Sequence, residues 1–257
     1  MDKLHVVKIG GNVIENREAL SDFLADFAAL NEPKILVHGG GKEATQMAEK
    51  LGIEVELIEG RRVTDVQNLD IITMLYAGKL NKTIVAQLQA LGCNSLGLSG
   101  ADGNSILADK RPTEPIDFGF VGDLTKVNHS LFNLLLKEGF SPVCCALSHD
   151  GKGQLLNTNA DTIAAALAAA LSKYYEVHLN YCFEKNGVLK DLNDNTSVIP
   201  TMNETEYNAL KTDGILHTGM LPKLHNCFAA LKGGVQYVKI GSPKMLVETE
   251  TCTQIIN

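Results

Sequence analysis

The order of apolar runs constrains this chain most. Short stretches rich in β-branched residues, "LHVVKI", "KILVH", "CNSLGLS", "SPVCCAL", "YEVHLN" and "VQYVKI", alternate with longer patterns of helical period. The helical patterns are "REALSDFLADFAAL", "KEATQMAEKLG", "DVQNLDIITMLYAGKLNKTIVAQLQALG", "SLFNLLLKEG", "ADTIAAALAAALS" and "LPKLHNCFAAL". A helix between two strands carries the chain back, so the second strand returns parallel to the first. The alternation predicts an α/β protein, a three-layer sandwich with a mostly parallel central sheet covered by helices on both faces.

Several element ends have a physical reading. Thr64 followed by Gln67 fits a capping box for the long helix after "GRRVTD". Gly52, Gly92 and Gly139 close helical patterns, as residues in the left-handed conformation do. Pro222 falls where a first helical turn tolerates a missing N–H. Ile163, Leu167 and Leu171 recur at every fourth position and define the buried stripe of their helix. No linker rich in Pro, Gly or Ser interrupts the 257 residues, so two lobes sharing one continuous sheet are expected, divided near residue 172.

Composition removes some function classes. Net charge is −7 and no long basic run occurs, which argues against a nucleic-acid or anionic-membrane surface. The six cysteines form no CxxC pair and no zinc-ligand spacing, so buried free thiols in a reducing compartment are expected. "MDKLHVV" has no signal-peptide pattern, and "ADTIAAALAAALS" falls short of the roughly 20 residues a bilayer span needs. The expectation is a soluble, cytoplasmic protein.

Two glycine junctions follow strands. Lys8-Ile9-Gly10-Gly11-Asn12 puts a lysine at the carboxyl end of a strand, where α/β folds bind ligands, and then a backbone that an anion can approach closely. A tight turn with a solvated lysine is the plainer alternative. His38-Gly39-Gly40-Gly41-Lys42 spends more conformational entropy, and a helix starting near Gly41 would aim its N–H groups at the same anion. The spacing is neither that of a P-loop nor GxGxxG. His38 reads as a base or, more simply, as a structural histidine bonded to backbone; Lys42 reads as a solvated helix residue.

Gly60-Arg61-Arg62 places guanidinium groups before a helix, where a fork can grip a carboxylate; Arg61 fits an exposed loop. In "LLNTNADT", Asn157, Asn159 and Asp161 would share one face if extended, or else cap the following helix. "HTGMLPKLHN" brings Lys223 early into a helix. These groups are rich in anion binders and hold no GxSxG nucleophile or paired metal-ligand histidines. Phosphoryl transfer needs that balance, because positioning and charge neutralisation supply most of its catalysis.

In order and spacing, "VKIGGNV", "VHGGGKE", "GRRVTD", "LGLSGADG", "GFVGDL", "LLNTNADTIAAALAAAL" and "DGILHTGMLPKL" resemble the N-acetylglutamate kinase branch of the amino-acid kinase family. The resemblance runs nearly end to end. It implies transfer of the ATP γ-phosphoryl group, with Mg2+ carried on the nucleotide, to the side-chain carboxylate of an N-acylglutamate in arginine biosynthesis. By motif, Lys8 and Lys223 would neutralise the phosphoryl group and Asp161 would orient them. Gly10 and Gly11 would cradle phosphate, and Gly40 and Gly41 the attacking carboxylate. Arg62 and Asn157 would grip the substrate α-carboxylate, with Asn12 and Asn159 in support. Residues 1–172 would form the lobe for acylglutamate and dimerisation, and residues 173–257 the ATP lobe.

The chain departs from the family at "NYCFEKNGVL", where a "TDVxGV"-like turn is usual, and at "ETCTQI", so no base-binding residues are assigned. Its start two residues before the first strand implies a feedback-insensitive homodimer without the N-terminal helix of hexameric relatives. Other readings stay open: a different acyl group such as succinyl, another substrate of the family, or a catalytically silent binding module.

Overall fold

Every side chain from Leu4 to Ile9 and from Lys34 to His38 is buried, the mark of strands covered on both faces. The computed structural model describes residues 1–58, 60–191, 193–216, 219–247 and 252–257. The fold is α/β, with a large, mostly parallel sheet flanked by helices. The chain clusters into two compact units, Met1–Lys34 with Ala164–Asn257, and Ile35–Ile163.

In the first unit the strand order is Thr201–Met202, Thr253–Ile255, Tyr237–Gly241, Glu176–Cys182, Lys3–Ile9. All its pairs are parallel except Tyr237–Gly241 with Thr253–Ile255. The compact units do not follow the expected division at residue 172. Residues 1–34 belong with the C-terminal part because Lys3–Ile9 pairs along its whole length with Glu176–Cys182.

In the second unit Lys34–His38, Ser141–Cys145 and Ser95–Leu98 are parallel neighbours. A second sheet, in the order Leu155–Asn157, Leu147–His149, Ile106–Lys110, Gly122–Val127, lies in the same unit. The alternation rule did not foresee it, since its strands are short and mixed in direction, and two of its three connections by sequence, Ile106–Lys110 to Gly122–Val127 and Leu147–His149 to Leu155–Asn157, hold no helix. "SPVCCAL" accordingly splits at Ala146 into a strand of each sheet.

The expected helices form. Arg17–Ala29 buries Leu20, Phe23, Leu24 and Phe27, and the side chain of Asn16 caps it by accepting from the N–H groups of Glu18 and Ala19. The long helix runs from Val66 to Ala90 and widens to π-type turns over Thr73–Leu80. Its cap is Asp65, which accepts from the Asn68 N–H at 2.8 Å, rather than Thr64; the Thr64 hydroxyl turns back to the Arg62 carbonyl instead. Gly52, Gly92 and Gly139 adopt φ of 69°, 76° and 76°, as helix-closing glycines should. Ile163, Leu167 and Leu171 are fully buried.

All six cysteines are free, and five are buried. Burial pushes the Cys145 thiol up to about 12 and raises Cys144 and Cys182 as well, so these thiols are inert side chains of the core. Among the described residues no helix is long and apolar enough to cross a membrane.

Candidate active site

Lys8 stands one residue before the end of its strand, opposite Tyr181 on the parallel neighbour. Register partners in a parallel pair share a face of the sheet. Lys223 reaches the same buried ring from the first turn of helix Leu221–Lys232, with its Nζ 5.9 Å from the Tyr181 centroid. Two lysines from opposite ends of the sequence thus converge on one aromatic side chain. His217 and Thr218, which precede Lys223 in its motif, lie outside the described residues.

Directly after Lys8, the chain passes Gly10 and enters a short helix, Gly11–Glu15, with Asn12 exposed on it. Gly10 has φ −84°, and a Cβ there would meet only ordinary contacts, 3.7 Å from the Cys182 carbonyl oxygen. Neither backbone conformation nor packing therefore requires glycine at this point. The Gly10 N–H donates to that carbonyl at 3.1 Å. A cradle at this junction is left with the N–H groups from Gly11 onward.

Beyond the strand, "FEKNGVL" is held by bonds to segments later in the chain. Phe183 N–H donates to the Gly241 carbonyl, and Val188 N–H to the Thr253 hydroxyl at 2.8 Å. Within "ETCTQI", Glu250 and Thr251 lie outside the described residues.

In the second unit, helix Gly41–Lys50 begins at Gly40, which brings no side chain to cap it. Gly40 sits at φ 156°, and a Cβ there would lie 2.3 Å from Leu80 Cδ1 and 2.9 Å from Tyr76 Cε1. Here glycine is required by conformation and by packing against the wide turns of the long helix. Burial pushes the Tyr76 hydroxyl up to about 12, so it stays protonated.

Arg62 closes a two-stranded hairpin, Leu57–Ile58 with Arg61–Arg62, and is buried where Arg61 is exposed. Its Nη2 donates to the Gly41 carbonyl at 2.9 Å and to the Thr45 hydroxyl at 2.6 Å, and its Nη1 to Asn68 Oδ1 at 3.2 Å. Burial draws its pKa down from the usual guanidinium range. All three partners are neutral oxygens, and among the described residues no carboxylate pairs with it. A buried cation without a counter-ion is costly, and a site that keeps one is suited to an anion from outside.

Asn157 ends its strand and donates from Nδ2 to the Thr64 hydroxyl at 3.0 Å. Thr64 also clamps the segment Phe118–Phe120: its N–H donates to the Phe118 carbonyl and its carbonyl accepts from Phe120 N–H. Phe120 in turn accepts from the Asn157 N–H at 2.9 Å. Asn157, Asn159 and Asp161 do not lie on one extended face, because the strand stops at Asn157. Asn159 is exposed and caps the next helix, its Oδ1 accepting from the N–H groups of Asp161 and Thr162. Asp161 is buried in the first turn of that helix, Ala160–Leu171, where the dipole favours a carboxylate.

His38 is structural. It is fully buried, its Nδ1–H donates to the Gly39 carbonyl, and its Nε2 accepts from Asn81 Nδ2 at 3.1 Å. Burial lowers its pKa to about 4, so the imidazole is neutral at physiological pH. Asn81 spends its other N–H on the Val143 carbonyl, while Lys82 donates to its Oδ1. Asn68, Thr45 and Asn81 were not singled out in the sequence, and Thr64 only as a helix cap. Each reads there as an ordinary polar residue, and only the fold sets them beside Arg62, Asn157 and His38. Among the described residues no group of three or more His, Cys, Asp or Glu is placed to hold a metal ion.

The family model described as the amino acid kinase family matches residues 3–242. The chain belongs to that family. Acetylglutamate kinases of Cytophaga hutchinsonii and Bacteroides thetaiotaomicron are similar to it. The first is 52% identical over 249 residues, covering 96% of this chain and 94% of that protein. The second is 49% identical over 249 residues, covering 97% of both. A crystal structure of a Streptococcus mutans protein superposes with a TM-score of 0.84 at 25% identity, covering 98% of each chain.

Proposed function

We propose that this enzyme transfers the γ-phosphoryl group of MgATP to the side-chain carboxylate of N-acetyl-L-glutamate, within arginine biosynthesis. Support comes from the acetylglutamate kinases that match it at about half identity over nearly its whole length. The observation that carries the acceptor side is Arg62, a buried cation bonded, among the described residues, only to neutral oxygens. The α-carboxylate of the acceptor supplies the missing anion, with Asn157 beside it, while Gly40 and Gly41 present backbone to the reacting carboxylate.

On the donor side Lys8 and Lys223 neutralise the phosphoryl oxygens, and Asp161 holds the two ammonium groups in register. Gly11 contributes its N–H, and Gly10 and Asn12 leave room and polarity for the phosphate chain. Asn159 acts by starting the helix that carries Asp161. Residues 173–257, joined by strand Lys3–Ile9 and the Gly10 turn, bind the nucleotide, and the rest of residues 1–172 binds the acceptor. The enzyme is a cytoplasmic homodimer.

The reaction needs no general base. A glutamate side chain with a pKa of about 4.3 is already ionised at neutral pH, so its oxygen attacks phosphorus directly. A new P–O bond forms to the carboxylate, the γ-phosphorus bond to the bridging oxygen breaks, and ADP leaves with its electrons. The obstacle is the approach of two anions, which fixed lysines, backbone donors and the magnesium on the nucleotide offset. The product is an acyl phosphate, and hydroxylamine traps it as a hydroxamate. Hydroxamate formation that depends on both ATP and N-acetylglutamate is the expected result. Equal or faster reaction with N-succinylglutamate, free glutamate, aspartate or carbamate would refute the acceptor assignment.

A further inference from the structure

The arginine at the acceptor end is held by a side chain that no motif includes. Asn68 is buried in the first turns of the long helix, six residues after Arg62. Its Nδ2 donates to the Glu54 carbonyl at 3.0 Å and to Asp65 Oδ1 at 3.1 Å. Both acceptors lack hydrogens, so the amide has one satisfactory orientation, with Oδ1 turned to Arg62 Nη1 at 3.2 Å. Every polar atom of the side chain is used.

Asn68 also separates charges. Asp65 takes two bonds from Asn68, one from its backbone N–H and one from its side chain. The amide therefore lies between a carboxylate and the buried guanidinium and presents a neutral oxygen to the cation. A guanidinium has five N–H groups. Among the described residues Gly41, Thr45 and Asn68 engage three of them, leaving two for a ligand. Were Asp65 to reach Arg62 directly, the cation would be neutralised from within the protein, and an incoming carboxylate would have to displace a covalently tethered competitor.

We propose that Asn68 is the positioning residue of Arg62, aiming the guanidinium and shielding it from Asp65 so that its charge stays available to the acceptor's α-carboxylate. This rests on the reading of Arg62 as the α-carboxylate grip. Asn68 touches neither reactant and acts only through Arg62. Its influence falls on recognition of the α-carboxylate, leaving nucleotide binding and turnover alone.

The test compares N-acetylglutamate with its α-carboxamide analogue, which keeps the reacting side chain and lacks the α-charge. The ratio of kcat/KM for the two substrates is measured in the wild-type enzyme, in Asn68→Asp and in Asn68→Ala. Asn68→Asp keeps the shape and gives Arg62 an anion of its own; Asn68→Ala removes the spacer. In both variants KM for N-acetylglutamate is expected to rise about ten- to a hundredfold, the range of one hydrogen bond to a charged group. KM for ATP and kcat should stay within about threefold, and the preference for the acid over the amide should fall by the same factor as KM rises. A merely structural residue would lower thermal stability without erasing that preference. An unchanged acid-to-amide ratio in either folded variant overturns the proposal. A wild-type enzyme that phosphorylates neither compound defeats the kinase reading itself. A wild-type enzyme that phosphorylates both alike defeats the role of Arg62, and the role of Asn68 with it.

Discussion

Gly119→Ala is the sharpest test of how the acceptor end is built. Gly119 has φ 69°, and a Cβ there would lie 2.3 Å from the Thr64 carbonyl oxygen and 2.9 Å from its carbon. Both are backbone atoms, so no side-chain rotation relieves the clash. The left-handed backbone alone costs alanine about 1–2 kcal/mol. Relief also requires the Phe118–Phe120 segment to move off Thr64, which forfeits the bonds Thr64 N–H to Phe118 O (2.9 Å) and Phe120 N–H to Thr64 O (2.7 Å). At about 0.5–1.5 kcal/mol each, the total comes to about 2–5 kcal/mol. Gly139→Ala is the control, with φ 76° and nothing within 4 Å of a Cβ, so only the conformational part, about 1–2 kcal/mol, applies. Urea midpoints at constant m-value measure both. Equal losses would show that the clamp on Thr64 contributes nothing. KM for N-acetylglutamate should rise only in Gly119→Ala, because Phe120 also holds the backbone of Asn157.

Lys8→Ala and Lys223→Ala should each lower kcat by about a hundredfold or more while KM for either substrate moves little, since their charge matters most in the transition state. Near wild-type turnover in either variant would remove that lysine from the mechanism. The buried histidines His5 and His38 both have pKa lowered to about 4, chiefly by burial. A histidine whose folded pKa lies below its unfolded value of about 6.5 contributes stability above that pH and loses it as pH falls toward the folded value. Stability should therefore decline from about pH 6.5 to 4, and His5→Phe should flatten the slope of midpoint against pH. An unaltered slope would place the acid sensitivity elsewhere. In static light scattering, the mass of a dimer is the expected outcome, and that of a monomer or hexamer would refute the assembly proposed for this enzyme.

The large sheet was legible because its strands are buried on both faces and carry unbroken apolar runs such as "LHVVKI" and "KILVH". The four-stranded sheet was not. Gly122–Val127 alternates buried with exposed side chains only weakly, and Leu155–Asn157 is three residues long, so neither leaves a periodic signal that outweighs the turn residues around it. The same limit explains the cap of the long helix. Thr64 and Asp65 are both capping residues, and the choice between them was decided by Asn157 and Phe118–Phe120, which engage Thr64 from elsewhere in the chain.

At the site, residue type was legible and its use was not. The glycine junctions look alike in sequence, yet Gly40 is demanded by Tyr76 and Leu80 packing over it, while Gly10 has room for a Cβ and is left bare. His38 has the chemistry of a base, but complete burial and two hydrogen bonds make it a fixture of the core. Arg61 and Arg62 are neighbours of equal charge, and pairing in a two-residue strand turns one outward and one inward. The anion-binding role proposed for Arg62 rests on no carboxylate pairing with this buried charge among the described residues, and an absence in space has no spacing in sequence. On that proposal the acceptor end is specified as much by the neutral residues that keep carboxylates away from Arg62 as by the arginine itself. Asn68 is the residue where that principle meets experiment most directly, because a change of one atom, amide nitrogen to carboxylate oxygen, supplies the missing anion from within.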